Sequence, residues 1–363
     1  MKPTVTEGAF VTTRGSSRKA RRQHAKGRRW KRIRNFVVAS SVSFFVLAGA
    51  LTTASFLLPS VRNVRLLLAE TIISTRHFYL AHYITTNTEY ASLVKQLNGA
   101  PVLSTGVTKH VQVTPKPISQ SSPVQVQEIS GSGYKGYVML VHDPKLIRLV
   151  AADVHQGTGE YITDMAKRVG AIAGTNASGF ADPKGEGWGG VPVGLEYVGG
   201  QALDTSFNGT WATVGFTNDG VMVMGNYSAN QLHNLGVRDA MQFHPELVVN
   251  GQPMITYGDG GWGSGPRTAV GQAKDGTVIF VVMNGRFHDS GLGATQKQVM
   301  DVMLQYGAWN ACAMDGGSSS VLYNDGKIIN SPSTIDPNGQ RHLPDAWMIF
   351  PSEAQANAYS PSA

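Results

Sequence analysis

The chain has 363 residues and a net charge of +7, but this charge is distributed unevenly. Residues 1–35 carry twelve Lys and Arg against one acid, a net +11, whereas the remainder carries nineteen against twenty-three, a net −4. The basic excess therefore belongs to a tail. The rest of the chain lacks the basic face that nucleic-acid binding requires, so no nucleic-acid partner is expected.

An uncharged run of twenty-three residues, Phe36 to Leu58, follows the tail. As a helix it would extend about 34 Å, enough to cross a bilayer core of about 30 Å. The basic flank matches the positive-inside rule, so we predict a cytoplasmic tail (1–35), a single transmembrane helix (36–58) and an extracellular remainder in the cell membrane. A cleaved signal peptide is the alternative, because Ala48-Gly49-Ala50 offers small residues, but the run exceeds the usual length of about 7–15 residues.

Two connecting segments and a tail are predicted around a larger domain. Residues 59–100 are rich in Leu, Ile, Tyr and Thr, and residues 89–97 have apolar positions at helical spacing, which predicts a juxtamembrane helical stalk. Residues 101–127 contain four prolines among many Ser, Thr, Val and Gln, the composition of an extended linker. Residues 353–363 are predicted to be a disordered tail.

Glycine content marks the domain predicted for residues 128–352. Six glycines lie in residues 1–126 and thirty-six in residues 127–363, roughly twice the average frequency of about 7%. Long functional loops are therefore expected. The single cysteine, Cys312, allows no intramolecular disulfide, so the domain must be stable through its core alone.

Strand patterns dominate this domain. Residues 137–142 and 146–150 flank Asp143-Pro144 and predict a hairpin, and the apolar run 277–283 predicts a strand that is buried on both faces. Asn324-Asp325-Gly326 predicts a second hairpin turn. The predicted fold class is α+β, a strand-rich mixed domain with few helices.

Two helices are predicted within the domain. One covers residues 163–168 and their neighbours, and the other runs from Thr295 to Tyr306 and is closed by Gly307. The transmembrane helix and the stalk precede them in the chain.

Polar residues that follow predicted strands are candidates for function, because a strand end presents them to solvent on a rigid support. Four places have this pattern. They are Asn176 with the following Asp182, Asn284 with Arg286, Asp315 with the following Gly316, Gly317 and Ser318, and the glycine loop that contains Arg267.

The segment Asp315-Gly316-Gly317-Ser318 is the most informative. Its glycines allow a ligand to approach the backbone closely, and its amides and hydroxyl could bind an anion beside an acid. The alternative is a tight turn in which Asp315 binds its own backbone. Arg267 and Arg286 could each clasp a phosphate with two parallel hydrogen bonds, or form an ordinary surface ion pair.

Several blocks within residues 128–352 resemble the phosphodiester glycosidase ("uncovering enzyme"-like) family. They include AIAGTNASGF, PRTAVGQAKDGTVIFVVMNGR, GAWNACAMDGGSSSVLYNDG and QRHLPDAWMIF. The resemblance implies hydrolysis of the bond between a sugar's anomeric carbon and a phosphodiester oxygen. The anchored, disulfide-free layout is similar to that of bacterial members. The residues that match the family's motifs are Asn176, Arg267, Arg286, Asp315, Gly316, Gly317 and Ser318.

One departure from the family bears on the catalytic groups. Many relatives have Asp-Gly-Arg where this chain has Asn284-Gly285-Arg286, which removes a carboxylate. Glycosidases usually employ two carboxyl groups, although a phosphodiester is already a good leaving group and one could suffice. Asp315 is the predicted principal catalytic residue. The candidates for a second carboxyl group are Asp182 and Glu196, with Asp289 and Asp345 as weaker ones. Asn176 is also included in the predicted catalytic set.

Two tryptophans, Trp188 and Trp262, lie in glycine-rich loops. Each could stack on a sugar or pack its loop onto the core. No cofactor requirement is predicted, because the paired His or Cys spacing of a zinc site is missing. Binding of a hard divalent cation, Ca or Mg, by Asp315 or Asp182 stays open as an alternative.

The expected function is an extracytoplasmic hydrolase that cleaves glycosyl-phosphodiester bonds in phosphate-containing cell-envelope glycans. Two alternatives stay open from the residues. One is a glycosyl or glycosyl-phosphate transferase in exopolysaccharide or teichoic acid assembly, since hydrolysis and transfer differ only in the attacking group. The other is a non-catalytic module that binds anionic glycan. The sequence does not predict the oligomeric state.

Overall fold

A computed structural model describes residues 58–75, 77–98, 105, 111–113, 123–155, 157–182, 186–203, 209–285 and 291–361, with isolated positions between 36 and 57. The chain divides into two compact units, Met1–Arg65 and Leu66–Ala363. In the described part of the first unit, the Arg65 guanidinium lies 4.0 Å from the ring centre of Phe56.

The predicted transmembrane helix, residues 36–58, lies largely outside the described residues, as does the whole basic tail. Within the part of the chain that the structure describes, no helix combines the length and apolar character that a membrane span needs. The membrane anchor therefore stays a prediction.

Six α-helices and three short 3-10 helices are described. The 3-10 helices cover Phe78–Tyr83, Pro144–Leu146 and Gly317–Ser319. The α-helices are α1 (Pro59–Ile73), α2 (Asn87–Asn98), α3 (Ile162–Val169), α4 (Ala229–Asn234), α5 (Gln296–Gln305) and α6 (Glu353–Ala358).

Seventeen strands are described, and they form three sheets in which every pairing is antiparallel. The strands are β1 (Val124–Gly131), β2 (Tyr134–Val141), β3 (Ile147–Ala151), β4 (Ala173–Asn176), β5 (Glu196–Val198), β6 (Gln201–Ala202), β7 (Trp211–Thr217), β8 (Met222–Tyr227), β9 (Val237–Gln242), β10 (Glu246–Val249), β11 (Gln252–Pro253), β12 (Thr268–Ala273), β13 (Val278–Met283), β14 (Ala308–Met314), β15 (Leu322–Asn324), β16 (Lys327–Ile328) and β17 (Asp345–Ile349).

The largest sheet has seven strands in the order β1-β2-β13-β12-β14-β10-β11. The other two have five strands each, in the orders β16-β15-β4-β17-β3 and β6-β5-β9-β7-β8. The strand-rich α+β class predicted from the sequence is confirmed for the described residues.

One apolar core joins the three sheets. Its large buried side chains include Phe280 from the first sheet, Trp347 from the second and Phe216 from the third. The rings of Phe216 and Trp347 meet edge to face at 5.4 Å. Three smaller clusters contain residues of α5, α3 and α4, so each sheet has a helix against its other face. Strand β13 is accordingly buried on both faces, as its apolar run predicts.

Local turn and cap signals explain where several elements begin and end. The Thr295 hydroxyl accepts from the Gln298 amide, and the Gln298 side chain accepts in return from the Thr295 amide, a capping box that starts α5 as predicted. At the predicted Asn-Asp-Gly turn, Asp325 and Gly326 both have positive φ and connect β15 to β16. This is the backbone geometry that a two-residue hairpin requires.

The hairpin predicted for residues 137–150 is wrong. Strand β2 pairs with β1 and β13, whereas β3 pairs with β17 in a different sheet. The Asp143 carboxylate accepts from the Lys145 amide and caps a 3-10 turn, which carries the chain from one sheet to the next. Since both strands are apolar on both faces, their pattern did not identify their partners.

Two predicted boundaries also need correction. Strand β1 begins at Val124, inside the predicted linker 101–127, and the described Gln112 amide donates to the carbonyl of Lys274. The predicted disordered tail, residues 353–363, contains α6, in which Ala356 is buried. In both cases the described residues contact the domain.

The predicted stalk is helical in its described residues, and part of it packs on the domain. In α1, the Thr71 hydroxyl accepts from the Ser264 amide at 3.1 Å, and a side chain at Gly263 would collide with Thr71. Glu70 is buried near Asp259, which raises the pKa of Glu70 to about 8. The loop 259–264 therefore lies against the end of α1 that carries Glu70 and Thr71, within the second unit.

Candidate active site

Four strand termini meet at one place in the domain. Strand β4 ends at Asn176 and β14 ends just before Asp315, while β12 begins after Arg267 and β17 begins at Asp345. Thr268 pairs with Met314, and Ala346 pairs with Asn176. Because neighbouring strands are antiparallel, the end of one lies beside the start of the next. Residues that are distant in sequence are thereby brought together where these four strand ends meet.

A pocket of about 330 Å³ opens beside this edge. Its lining combines aromatic rings with three charged side chains, the mixture typical of small-ligand sites. The lining residues are Gly179, Phe180, Asp182, Val193, Gln242, Phe243, His244, Trp262, Asp315 and Arg341. Of the predicted site residues, Asp315, Asp182 and Trp262 are brought together here.

Asp315 is the half-buried acid of the pocket. Burial raises the pKa of its carboxyl to about 6, against the opposing effects of the Ser319 hydroxyl, the Arg341 charge and the Gly316 amide. The Gly316 amide donates to Asp315 Oδ1 at 3.0 Å. A carboxyl group with this pKa changes its charge close to neutral pH, which suits a group that transfers protons.

Arg341 supplies the positive charge of the pocket lining. Its guanidinium donates to Asp182 Oδ2 at 2.9 Å and to Ser318 Oγ at 3.0 Å, and it stacks 4.4 Å above the Phe180 ring. Stacking and two side-chain partners fix the plane of the guanidinium. Asp182 also accepts from the Gly187 amide, so the Asp182 and Arg341 pair is attached to the loop that carries Trp188.

Aromatic residues form another part of the lining. The Trp262 ring lies 5.7 Å from that of His244, which in turn lies 6.1 Å from Phe243. Burial lowers the pKa of His244, which favours the neutral form of this imidazole. Such rings offer a flat, uncharged surface of the kind that sugars bind.

Asn176 does not line the pocket. Its side chain is fully buried, donates to the Asp315 carbonyl at 2.7 Å, and accepts from the Thr268 hydroxyl and the Val321 amide. This one amide side chain thus connects three segments at the strand termini. Its position is that of a residue that holds the backbone of Asp315 in place.

Arg267 is buried behind the pocket. Its guanidinium donates to the carbonyl oxygens of Trp262 at 2.6 Å, Gly263 at 2.8 Å and Ala294 at 3.2 Å. Its Nε and Nη2 donors therefore go to backbone carbonyls, and phosphate binding by this side chain stays a prediction. The contacts attach the loop that carries Trp262.

The amides of the Asp-Gly-Gly-Ser segment have partners inside the protein. That of Gly316 donates to the Asp315 carboxylate, and that of Gly317 donates to the Pro266 carbonyl at 3.0 Å. Ser318 accepts from Arg341. The bond from the Gly316 amide to the Asp315 carboxylate is the one that the tight-turn alternative predicts. Of the four residues in the segment, Asp315 alone lines the pocket. Anion binding by these amides stays a prediction.

The other predicted residues lie away from the pocket or outside the described part. Glu196 is buried in β5, where its Oε1 has no hydrogen-bond partner among the described residues. Asn284 accepts from the Ser331 amide at 3.2 Å. Trp188 is exposed and its indole donates to Glu186. Arg286 and Asp289 lie outside the described residues.

Sequence reasoning missed Arg341. Arg341 precedes β17, and of the residues that lie just before a strand only Arg267 was considered as a phosphate ligand, because its loop is rich in glycine. In an antiparallel sheet the start of a strand reaches the same edge as the end of its neighbour. Arg341 stands in the QRHLPDAWMIF block, so inspection of strand starts would have found it. Phe243 and His244 follow β9, and they were not predicted as site residues.

The described residues contain no group of three or more His, Cys, Asp or Glu that could hold a metal ion. The participation of a hard divalent cation, Ca or Mg, stays an open alternative.

Comparisons with known proteins show the family and a related fold. The sequence profile described as phosphodiester glycosidase matches residues 169–350, half of the chain. The protein therefore belongs to the phosphodiester glycosidase family. The matched region contains Asp182, Arg267, Asp315 and Arg341.

One curated relative is the SPbeta prophage-derived uncharacterized protein YomE of Bacillus subtilis (strain 168). It is 33% identical over 184 residues, which are 48% of this chain and 27% of that protein. The match thus spans about a quarter of the relative's length. A similar solved structure is the catalytic domain of zebrafish N-acetylglucosamine-1-phosphodiester alpha-N-acetylglucosaminidase. It has 19% identity and a TM-score of 0.54, and the match covers 70% of this chain and 90% of that one. This likeness concerns the fold.

Proposed function

We propose that this protein is a hydrolase that cleaves the bond between the anomeric carbon of a sugar and a phosphodiester oxygen. The observation that carries the proposal is the pocket in which Asp315 and Arg341 lie on one lining with aromatic residues. An arginine for the phosphate, an acid for proton transfer and aromatic faces for the sugar are the groups that this reaction requires. Membership of the phosphodiester glycosidase family supports the same reaction.

In the proposed reaction, Arg341 binds the phosphodiester and balances the charge that develops on the leaving phosphate. Its partners Asp182 and Ser318 hold the guanidinium plane, so little reorganisation is needed when substrate binds. A phosphate monoester is a stable anion, and the arginine adds to its stability. Protonation of the leaving oxygen therefore contributes less than it does for an alcohol.

Asp315 is the proposed proton-transfer residue at the anomeric carbon. As a general base it would take a proton from water while water forms the new C–O bond and the phosphate leaves with the old bonding electrons. As a general acid it would instead donate to the leaving oxygen. Because burial raises its pKa to about 6, the turnover rate should change around pH 6, rising with pH for a base and falling for an acid.

The experiment is turnover of a sugar-1-phosphodiester by the full chain in detergent micelles, with free sugar and phosphomonoester quantified. The proposal expects both products in equal amounts. Release of an alcohol and a sugar-1-phosphate would instead indicate a phosphodiesterase. Appearance of the sugar on an added acceptor would indicate transfer, and binding without any product would indicate a non-catalytic module.

The cellular setting is also part of the proposal. The uncharged run 36–58 and the basic tail support a single-pass membrane protein with its domain outside the cell, and phosphate-containing envelope glycans as substrate. Protease added to intact wall-less cells should remove the domain. Protection of the domain would contradict this topology.

A further inference from the structure

Trp262 lies on a loop whose backbone has unusual freedom. Four glycines flank it, all with positive φ between 58° and 93°. They are Gly258, Gly260, Gly261 and Gly263. Glycine has the widest conformational freedom of any residue, so a ring on such a loop keeps one orientation only if other segments hold the loop. Trp262 nevertheless lines the pocket, with its ring 5.7 Å from that of His244. The contacts of this loop therefore bear on the site.

The two residues next to Trp262 lie against the helices of the stalk. A Cβ atom at Gly263 would lie 2.4 Å from the backbone nitrogen of Thr71 in α1. One at Gly261 would lie 2.9 Å from Cγ of Gln96 in α2. The Ser264 amide also donates to the Thr71 hydroxyl at 3.1 Å. The loop thus presents its glycines to the stalk and its ring to the pocket.

Asp259 attaches the start of the loop to the same helix. Its Oδ1 accepts from the Gly261 amide at 2.9 Å, and its carbonyl accepts from the Lys297 amide at 3.0 Å. Its Oδ2 is buried and accepts from no N–H or hydroxyl group among the described residues. The Glu70 carboxyl lies beside it, and burial raises the pKa of Glu70 to about 8, so Glu70 carries a proton that it can donate to Asp259.

The loop is therefore held from two directions. On one side Arg267 binds the carbonyl oxygens of Trp262 and Gly263. On the other side lie Thr71 and Gln96, in stalk helices that precede the glycosidase-like domain in the chain. A binding residue that is already fixed in its bound orientation loses less entropy when the ligand arrives.

We propose that the stalk helices α1 and α2 position Trp262 in the pocket, with Thr71 as the main positioning residue, so that residues 66–98 are part of the sugar-binding side of the site. The segment that precedes the domain then does more than connect it to the predicted anchor. It supplies one of the two supports of an aromatic face that the substrate needs.

This inference rests on the proposed function, and two measurements separate the two. The first is the KM and kcat of the full chain in detergent micelles with a sugar-1-phosphodiester. The second is the 19F NMR spectrum of the same chain labelled with 5-fluorotryptophan, in which Trp262→Phe assigns the Trp262 signal. The second measurement needs no turnover. Absence of products would thus defeat the proposed function, while the position of Trp262 could still be measured.

Thr71→Val keeps the shape of the side chain but removes the hydroxyl that accepts from Ser264. The Trp262 signal should shift or broaden, whereas the signals of the other five tryptophans stay in place. Stacking on a sugar acts alike before and during the reaction, so KM should rise about 3- to 10-fold with kcat nearly unchanged. Thr71→Ser keeps the hydroxyl and should restore both readouts.

A pair of glycine variants tests the same contact if Thr71→Val does not fold. Gly263→Ala and Gly258→Ala both place a side chain at positive φ, with similar backbone strain. A Cβ atom at Gly258 meets nothing within 4 Å, whereas one at Gly263 collides with α1. Only Gly263→Ala should therefore displace Trp262 and raise KM.

Three results would overturn the proposal. One is an unchanged Trp262 signal in folded Thr71→Val or Gly263→Ala protein. Another is an equal change in Thr71→Ser or in Gly258→Ala, because the effect would then not come from the contact with the stalk. The third is a lower KM or faster turnover in Thr71→Val, because the stalk would then restrict the pocket and not support it.

Discussion

Two arginines near the pocket, Arg267 and Arg341, show how different environments give one side chain different tasks. Arg267 lies in a glycine loop before β12 and binds three backbone carbonyls, whereas Arg341 lies before β17 and binds two side chains over an aromatic ring. Carbonyl partners are fixed parts of the fold, so Arg267 supports a loop. Arg341 lines the pocket with its guanidinium plane held by side-chain partners, which is the arrangement that the proposed phosphate binding requires.

The largest effect should come from the acid beside Arg341. Asp315→Asn keeps the size of the side chain and most of its hydrogen bonds but removes the ionisable group, so turnover of a sugar-1-phosphodiester should fall by about 100-fold or more. Thermal unfolding should change little. Asp325→Asn, the same change in the hairpin turn between β15 and β16, is the matched control and should leave turnover intact. Full activity of Asp315→Asn would remove this residue from the mechanism.

The next effect separates the two arginines directly. Arg341→Lys keeps the charge but loses the planar fork and the stacking on Phe180, so turnover should fall by about 10-fold or more with the midpoint of thermal unfolding nearly unchanged. Initial rates and a melting curve on the same preparation measure this. A loss of stability that matches the loss of activity would show that Arg341 is structural like Arg267.

Arg267→Lys should show the reverse balance. An ammonium group cannot reach all three carbonyls, and unpaired buried carbonyls cost about 1–3 kcal/mol each. We expect a clear decrease in the free energy of unfolding in denaturant. Turnover measured well below the unfolding midpoint should fall less than in Arg341→Lys. The opposite ranking would restore Arg267 as a phosphate ligand.

The smallest effect concerns the contact between the loop 259–264, which carries Trp262, and Glu70 of α1. Since the pKa of Glu70 rises from 4.5 to about 8 through burial and Asp259, the folded chain holds a proton that an unfolded chain would release. This contribution to stability is complete below pH 4.5 and is lost as pH rises through 8. Hydrogen exchange in residues 66–73 should therefore be faster above pH 8 in the native chain than in Glu70→Gln. Equal exchange in both would show that Glu70 does not secure α1.

The sequence predicts the type of fold better than its connections. Buried strand β13, capped helix α5 and the Asn-Asp-Gly turn follow from local rules, because their signals lie within each segment. The pairing of β2 and β3 does not, since strands that are apolar on both faces carry no mark of their neighbours. Pairing is decided by contacts across the core, such as that of Phe216 with Trp347.

The same distinction holds for the site. Asp315 could be found because glycines follow it, and Trp262 because glycines surround it. Asn176 and Glu196 are chemically suitable residues that folding turned inward, and a sequence does not show whether a polar side chain faces a pocket or the core. Arg341 was missed because no glycine-rich loop marks the segment before β17, unlike the loop of Arg267 before β12.

Incubation in water enriched in 18O is the most direct test of the central claim. With a sugar-1-phosphodiester as substrate, attack at the anomeric carbon places the label on the released sugar and leaves the phosphomonoester unlabelled. Mass spectrometry of both products distinguishes the two positions. The account predicts 18O in the sugar, in an amount that falls with turnover in Asp315→Asn. Label in the phosphomonoester would show cleavage at phosphorus and would contradict the account.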